Sequence, residues 1–241
     1  MTPSVTPLSA SALVIPVSRW ADDGVRERTR RTRRRLLVAA AALIDEAGYR
    51  GASLSDILAA AGLTKGALYF HFRSKYALAE AVVVEVERSW DVVVAEIAAR
   101  GLDPLWRLLI ETDAYVARWM YDPLVRGVGR ALDDPELRDL RSRWLSDWER
   151  ATIERLEQAA AAGLLAAEVD PRRAGRAVVA VANGNYGLAD GPDDLWARMS
   201  ESWEGLLPIM ASATWHAGWA ASNWSTRPAP ALEAYRLARE P

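Results

Sequence analysis

The chain has no cysteine, which removes disulfide frameworks, thiolate metal sites and thiol nucleophiles together and points to a reducing cytoplasm. Histidine and phenylalanine are almost absent, at two residues each in 241. Lysine occurs only at positions 65 and 75, and the remaining positive charge is arginine. No apolar run reaches the roughly 18 residues of a membrane span. The weakly apolar start from Leu8 to Val17 is punctuated by Pro3, Pro7 and Pro16 and has no basic residue before it, unlike a secretory signal. A soluble protein with no membrane partner is expected. There is also no glycine-rich phosphate loop and no ligand cluster with metal spacing, so neither an enzyme nor a cofactor is expected.

Half of the residues are hydrophobic (51%), enough for one large core or two modest ones. The net charge of -2 hides an asymmetry. Residues 1–80 carry twelve Lys and Arg against seven Asp and Glu, whereas residues 81–241 carry eighteen against twenty-five. A basic head on an acidic body suits a polyanion-binding domain joined to something that does not touch the polyanion. Of eleven tryptophans, only Trp20 precedes Trp90. The expected organisation is a flexible leader over 1–25, a DNA-binding domain over 26–80 and a ligand-binding and dimerisation domain over 81–241.

The pattern is helical throughout, so the expected fold class is all-α. Seven arginines between Arg26 and Arg35 run into the apolar stretch Leu36 to Ile44, as the polar start of a first helix that Gly48 stops. Ser53 and Asp56 make a capping box for a short second helix to about Ala61. Gly62 supplies a tight turn, Thr64 caps a helix carrying Lys65 to His71, and Ser74 caps a fourth helix reaching about Arg100. Two short helices joined by a glycine turn are a helix-turn-helix. Further helices are expected over 104–121, 123–132, 135–162, 171–189, 193–216 and, in the tail, 229–239.

The third helix gathers both lysines, both phenylalanines and one histidine on or beside it, which marks it as a recognition helix for the major groove. Thr64 and the helix N-terminus suit a phosphate, Lys65 a guanine edge, and Gly66 a close approach of backbone to DNA. Tyr69 shares the face of Lys65, while His71 and Lys75 are placed to hold the flanking backbone. Arg33 and Arg34 in the basic run and Ser53 complete the candidate DNA contacts, the arginines adding sequence-independent affinity. Phe70 and Phe72 are expected to anchor the helix in its own core.

From about Arg34 to Ala81, through Gly48-Tyr49, Ser53-Leu54-Ser55-Asp56-Ile57 and Ala61 to Phe72, the chain resembles the TetR family of bacterial repressors. The run from Lys65 to Phe72 resembles the γ-butyrolactone receptors among them, repressors of antibiotic biosynthesis and morphological development in actinomycetes. Leu43-Ile44 departs from a family pattern that often has phenylalanine at the end of the first helix.

In the body, Trp144, Trp148 and Thr152 are spaced by four on one face, and Trp119, Trp106, Tyr115 and Tyr121 add rings from a neighbouring helix. These rings suit either core filling or a small apolar ligand with a few polar groups. Asn185, with Tyr186 beside it, lies in register with an apolar stripe and needs a partner, either a ligand or another helix. By resemblance, Trp148 is the tryptophan that lines the ligand space of butyrolactone receptors, which implies a lactone, butenolide or furan inducer. Arg138, Arg141 and Arg143 read either as a solvated face or as a carboxylate site.

Val178 and Val181, with Trp196, Met199, Trp203, Leu206 and Met210, form a seam resembling the helical dimer interface of TetR proteins. A homodimer is expected because two recognition helices must meet two half-sites about 34 Å apart. The resulting expectation is a ligand-released repressor on pseudo-palindromic operator DNA. The rival readings are a repressor of an efflux or catabolic gene with an unrelated apolar ligand, and a DNA-binding protein with no ligand.

Overall fold

The computed structural model describes residues 24–229. Most of the leader, and the tail helix expected over 229–239, lie outside the described residues. Within them are ten α-helices and two short 3-10 turns, and the one extended pairing is an isolated bridge between Leu165 and Ala211. The fold class is all-α. Among the described residues no helix is long and apolar enough to cross a membrane.

Two compact units divide the described chain, and neither is a single stretch of sequence. One gathers residues 24–92 and 121–144; the other gathers 93–120 and 145–229.

The first unit begins with α1 (Gly24–Gly51). Leu36, Leu37, Ala40, Ala41 and Ile44 are buried along it, a stripe at helical spacing that turns the arginines outward. Gly48 leaves the helical conformation at φ 73°, a left-handed value that breaks the helix in its last turn. The helices α2 (Leu54–Ala61) and α3 (Lys65–His71) follow, joined through Gly62 at φ 61°. Ser53 accepts from the Asp56 N–H at 3.1 Å, Thr64 from Ala67 N–H at 3.3 Å, and Ser74 from Ala77 N–H at 3.0 Å at the start of α4 (Lys75–Ala98). Each cap satisfies an amide that a helix start leaves without a partner.

Residues 121–144 group with these helices. The connection is α6 (Pro123–Leu132), which follows α5 (Pro104–Tyr121). Gly127 sits so close to α1 that a Cβ there would lie 2.5 Å from the Ala41 carbonyl oxygen. Backbone therefore meets backbone, and Arg126 adds a 2.7 Å ion pair to Asp45. The 3-10 turn Pro135–Leu137 then leads into α7 (Arg138–Ala161).

The second unit is built from the C-terminal part of α4, from α5 and α7, and from α8 (Pro171–Leu188), α9 (Pro192–Met210) and α10 (Ala213–Ala220). Its core joins Leu105, Leu109, Leu156, Val178, Leu207 and Met210 to the rings of Trp106, Trp203, Trp215, Trp219 and Trp224. The single helix expected over 193–216 is two. Pro208 removes one helical N–H, and after Met210 the strand-like pair Ala166 N–H to Met210 carbonyl and Ser212 N–H to Leu164 carbonyl takes over the backbone bonds. A last 3-10 turn, Trp224–Thr226, returns its tryptophan to the same core.

Candidate nucleic-acid interface and ligand site

The seven residues of α3 span about 10 Å at 1.5 Å per residue and show two faces. Leu68 and Phe72, four apart, are buried and fix the helix to its unit. Lys65, Gly66, Tyr69 and Phe70 are exposed. Phe70 corrects the reading of both phenylalanines as anchors, since it is 77% exposed. Two residues after Leu68 on the helix it points about 200° away from that anchor, and that rotation alone could have placed it outside. With Tyr69 at 48% exposure it gives the recognition face two outward rings.

A Cβ on Gly66 would meet nothing nearer than the Thr64 hydroxyl at 4.0 Å. The fold itself does not require glycine there, although glycine in a helix costs about 1 kcal/mol relative to alanine. Thr64 is exposed at the start of the helix, its hydroxyl accepting from the Ala67 N–H.

Other expected contacts have work inside the protein. The Lys75 ammonium donates to the Arg50 carbonyl at 3.2 Å and lies 4.6 Å from the centre of the Tyr49 ring. Burial holds its pKa below the ordinary lysine value against the opposing pull of Glu136 and Asp134. Lys75 thus closes the end of α1. The Ser53 hydroxyl is shared among Asp56 and Ser55, next to a carboxylate that repels DNA. Arg33 lies over the Phe72 ring at 5.6 Å and 3.7 Å from Glu85, whereas Arg34 is exposed. His71 is half-buried, and burial followed by the charge of Arg33 lowers its pKa. Arg35 was not singled out in the sequence; it reaches the Gly62 carbonyl at 3.4 Å and steadies the turn.

In the second unit four half-buried rings converge. Tyr115 stacks on Trp148 with centroids 6.2 Å apart and meets Tyr186 edge-on at 5.5 Å. Trp119 and Trp148 lie 6.1 and 6.2 Å from Tyr186. Burial pushes the Tyr115 hydroxyl up to about 12 and that of Tyr186 well above its ordinary value, so both remain neutral hydrogen-bond donors at any physiological pH. Tyr115, one of the rings the sequence offered either to core filling or to a ligand, belongs to this group. Trp144, half-buried on α7, falls in the first unit.

Two of the expected ligand residues are spent on structure. Thr152 is buried and donates to the Trp148 carbonyl at 2.9 Å. The Asn185 amide donates to Ser202 Oγ at 2.8 Å and approaches the Arg198 carbonyl at 3.4 Å, tying α8 to α9. Of the second-helix alternatives, a neighbouring helix is therefore its partner. The arginines near the start of α7 are exposed or ion-paired at the surface, with Arg141 to Asp133 and Arg143 to Glu80.

The expected dimer seam also needs correction. Val178, Met199, Trp203 and Met210 are buried inside the protomer, Val178, Trp203 and Met210 within the core cluster, and Trp196 lies beneath Arg227. An amphipathic stripe shows that a helix has an apolar side, and this one is filled by the protein's own core. On the outward sides of the same helices are Ala177, Ala180, Leu188, Gly205 and Ile209, with Val181 and Leu206 partly covered. Leu188 and Ile209 are 69% and 67% exposed.

Residues 36–82 match the family described as bacterial regulatory proteins, tetR family. The A-factor receptor protein of Streptomyces griseus is 31% identical over 183 residues, 75% of this chain and 64% of that protein. The chain belongs to the TetR family. This TetR protein is similar to CprB from Streptomyces coelicolor, solved in complex with its biological operator sequence, at 28% identity and a TM-score of 0.69 over 80% of this chain and 95% of that one. It is similar as well to a solved γ-butyrolactone receptor, at 26% identity and a TM-score of 0.68 over 88% of this chain and 98% of the other. The TetR protein spans less than two thirds of the length of the A-factor receptor.

Proposed function

We propose that this TetR protein is a homodimeric transcriptional repressor of the cytoplasm, released from a pseudo-palindromic operator by a small lactone, butenolide or furan signal. The observation that carries the reading is α3, whose buried Leu68 and Phe72 leave Lys65, Gly66, Tyr69 and Phe70 on one outward face. A neutral, largely apolar ligand suits the four converging aromatic rings. The likeness to γ-butyrolactone receptors supports this ligand class and makes antibiotic biosynthesis genes the expected targets.

Dimerisation belongs on the outward sides of α8 and α9, at Ala177, Ala180, Val181, Leu188 and Ile209. Ligand releases DNA only by as much as it prefers the conformation that fits the half-sites poorly, and DNA weakens ligand binding by the same factor. The test is selection of duplexes from a random pool, followed by mobility-shift titration with synthetic γ-butyrolactones, butenolides and furans. Binding to a two-fold sequence that one class reverses supports the proposal. Binding that no member of the three classes reverses overturns the ligand assignment, and absence of any selected sequence overturns the repressor.

A further inference from the structure

Beyond the buried Trp224 ring, the C-terminal segment that carries the last of the tryptophans is held by one side chain. Arg227 donates from Nε to Asp113 Oδ2 at 2.7 Å and from Nη2 to Asp113 Oδ1, a bidentate pair across 114 residues of sequence. Its Nη1 donates to Ser200 Oγ at 3.2 Å and to the Trp224 carbonyl at 3.1 Å. The guanidinium carbon lies 3.3 Å from the centre of the Trp224 ring and 4.4 Å from that of Trp196. Ser200 is free to accept because its own proton goes to the Trp196 carbonyl at 2.9 Å.

These receiving groups come from elements other than the strap. Asp113 is on α5 and is 7% exposed; Trp196 and Ser200 are one turn apart on α9. A carboxylate that chelates two N–H groups, a hydroxyl that takes a third and an aromatic face beneath them are the chemistry that recognises a planar guanidinium. We propose that Asp113, Ser200 and Trp196 form a guanidinium-binding site filled in cis by Arg227, so that residues 221–229 are a strap held across α5 and α9 by that side chain together with the buried Trp224 ring. The site is separate from the four-ring cluster and from the recognition helix, and it does not depend on the repressor reading. Burial raises the Asp113 pKa and Arg227 opposes the rise, so an emptied site would hold a buried carboxyl without its counter-charge.

The experiment uses the full chain and its Arg227→Ala, Arg227→Lys and Asp113→Asn/Arg227→Ala variants. Removing one partner of a buried pair is expected to lower the melting temperature of Arg227→Ala by roughly 5–10 °C. Chymotrypsin cleavage after Trp224, located by mass spectrometry, should become faster. Arg227→Lys, which keeps the charge but not the fork, should fall between. Methylguanidinium at millimolar concentration should raise the melting temperature of Arg227→Ala by a few degrees while leaving Trp224 cleavable, because it fills the site without tethering the strap. It should raise neither the wild type, whose site is filled, nor the double variant, whose carboxylate is gone. Wild-type melting and cleavage in both single variants, or an equal methylguanidinium response in the double variant, would overturn the proposal. Should Arg227→Ala not fold, Arg227→Lys with wild-type melting and cleavage does so by itself.

Discussion

Replacing Phe70 by alanine separates DNA binding from folding, because the ring is mostly exposed and meets the neighbouring His71 ring edge-on at 5.1 Å. An aromatic side chain covers about 150–250 Å² when buried, so at 77% exposure roughly 150 Å² of Phe70 is open to a partner. At 25 cal/mol per Å² that surface could contribute up to about 4 kcal/mol to a complex, and half coverage against sugars or thymine methyl groups gives about 2 kcal/mol. The expected loss of operator affinity is therefore on the order of 30-fold. Folding should change by less than about 0.5 kcal/mol, since alanine has the better helix propensity and little contact is lost. Phe72→Ala is the contrast: it empties a buried position and should cost about 3–5 kcal/mol of stability. Fluorescence anisotropy on a duplex selected by the wild-type protein reads the first quantity and thermal melting the second. Wild-type affinity in Phe70→Ala, or a melting loss comparable to that of Phe72→Ala, would refute the two-faced reading of α3.

Other changes give distinct readouts. Lys65→Ala should cost about 1–3 kcal/mol of affinity and relax selection at one base position, which repeated duplex selection would reveal. Gly66→Ala should leave melting unchanged or slightly raised while weakening DNA binding, and unimpaired binding would remove the close approach of backbone to DNA. Gly127→Ala should lower the melting temperature, with a cost of about 1–3 kcal/mol, because the added Cβ meets Ala41 backbone instead of a side chain that can turn away. Tyr115 binds its proton more tightly folded than unfolded, so its contribution is full below its unfolded pKa of about 10 and is lost as pH rises toward about 12. Urea titrations of the wild type and Tyr115→Phe across that window should show the shallower decline in the variant.

Local chemistry was readable in the sequence wherever cause and effect lie within four residues. Ser53, Thr64 and Ser74 cap the helices expected of them, and Gly62 takes the left-handed turn. What escaped depended on which side of an element another element occupies. The spacing of Trp196, Met199, Trp203, Leu206 and Met210 reveals an apolar side, but a protomer core and a partner subunit ask for the same residues. Lys75 stands in a basic, aromatic segment, yet its partner is a carbonyl 25 residues earlier in the chain. Thr152 and Asn185 share the ring cluster's register and nevertheless satisfy backbone and α9. Nothing local announces that residues 121–144 pack with the helix-turn-helix; Gly127 marks the contact only once Ala41 is known to face it.

Scarcity of lysine has a practical consequence. Of the two side-chain amines, Lys65 is exposed on α3, while Lys75 is half-buried against Tyr49 and already donating to Arg50. An acylating reagent used sparingly should therefore modify the recognition helix at one defined atom, Lys65 Nζ, besides the chain terminus. The wild-type protein carries a built-in footprinting handle: the extent of acylation at Lys65, read by peptide mass, becomes a direct gauge of whether that face is covered or free.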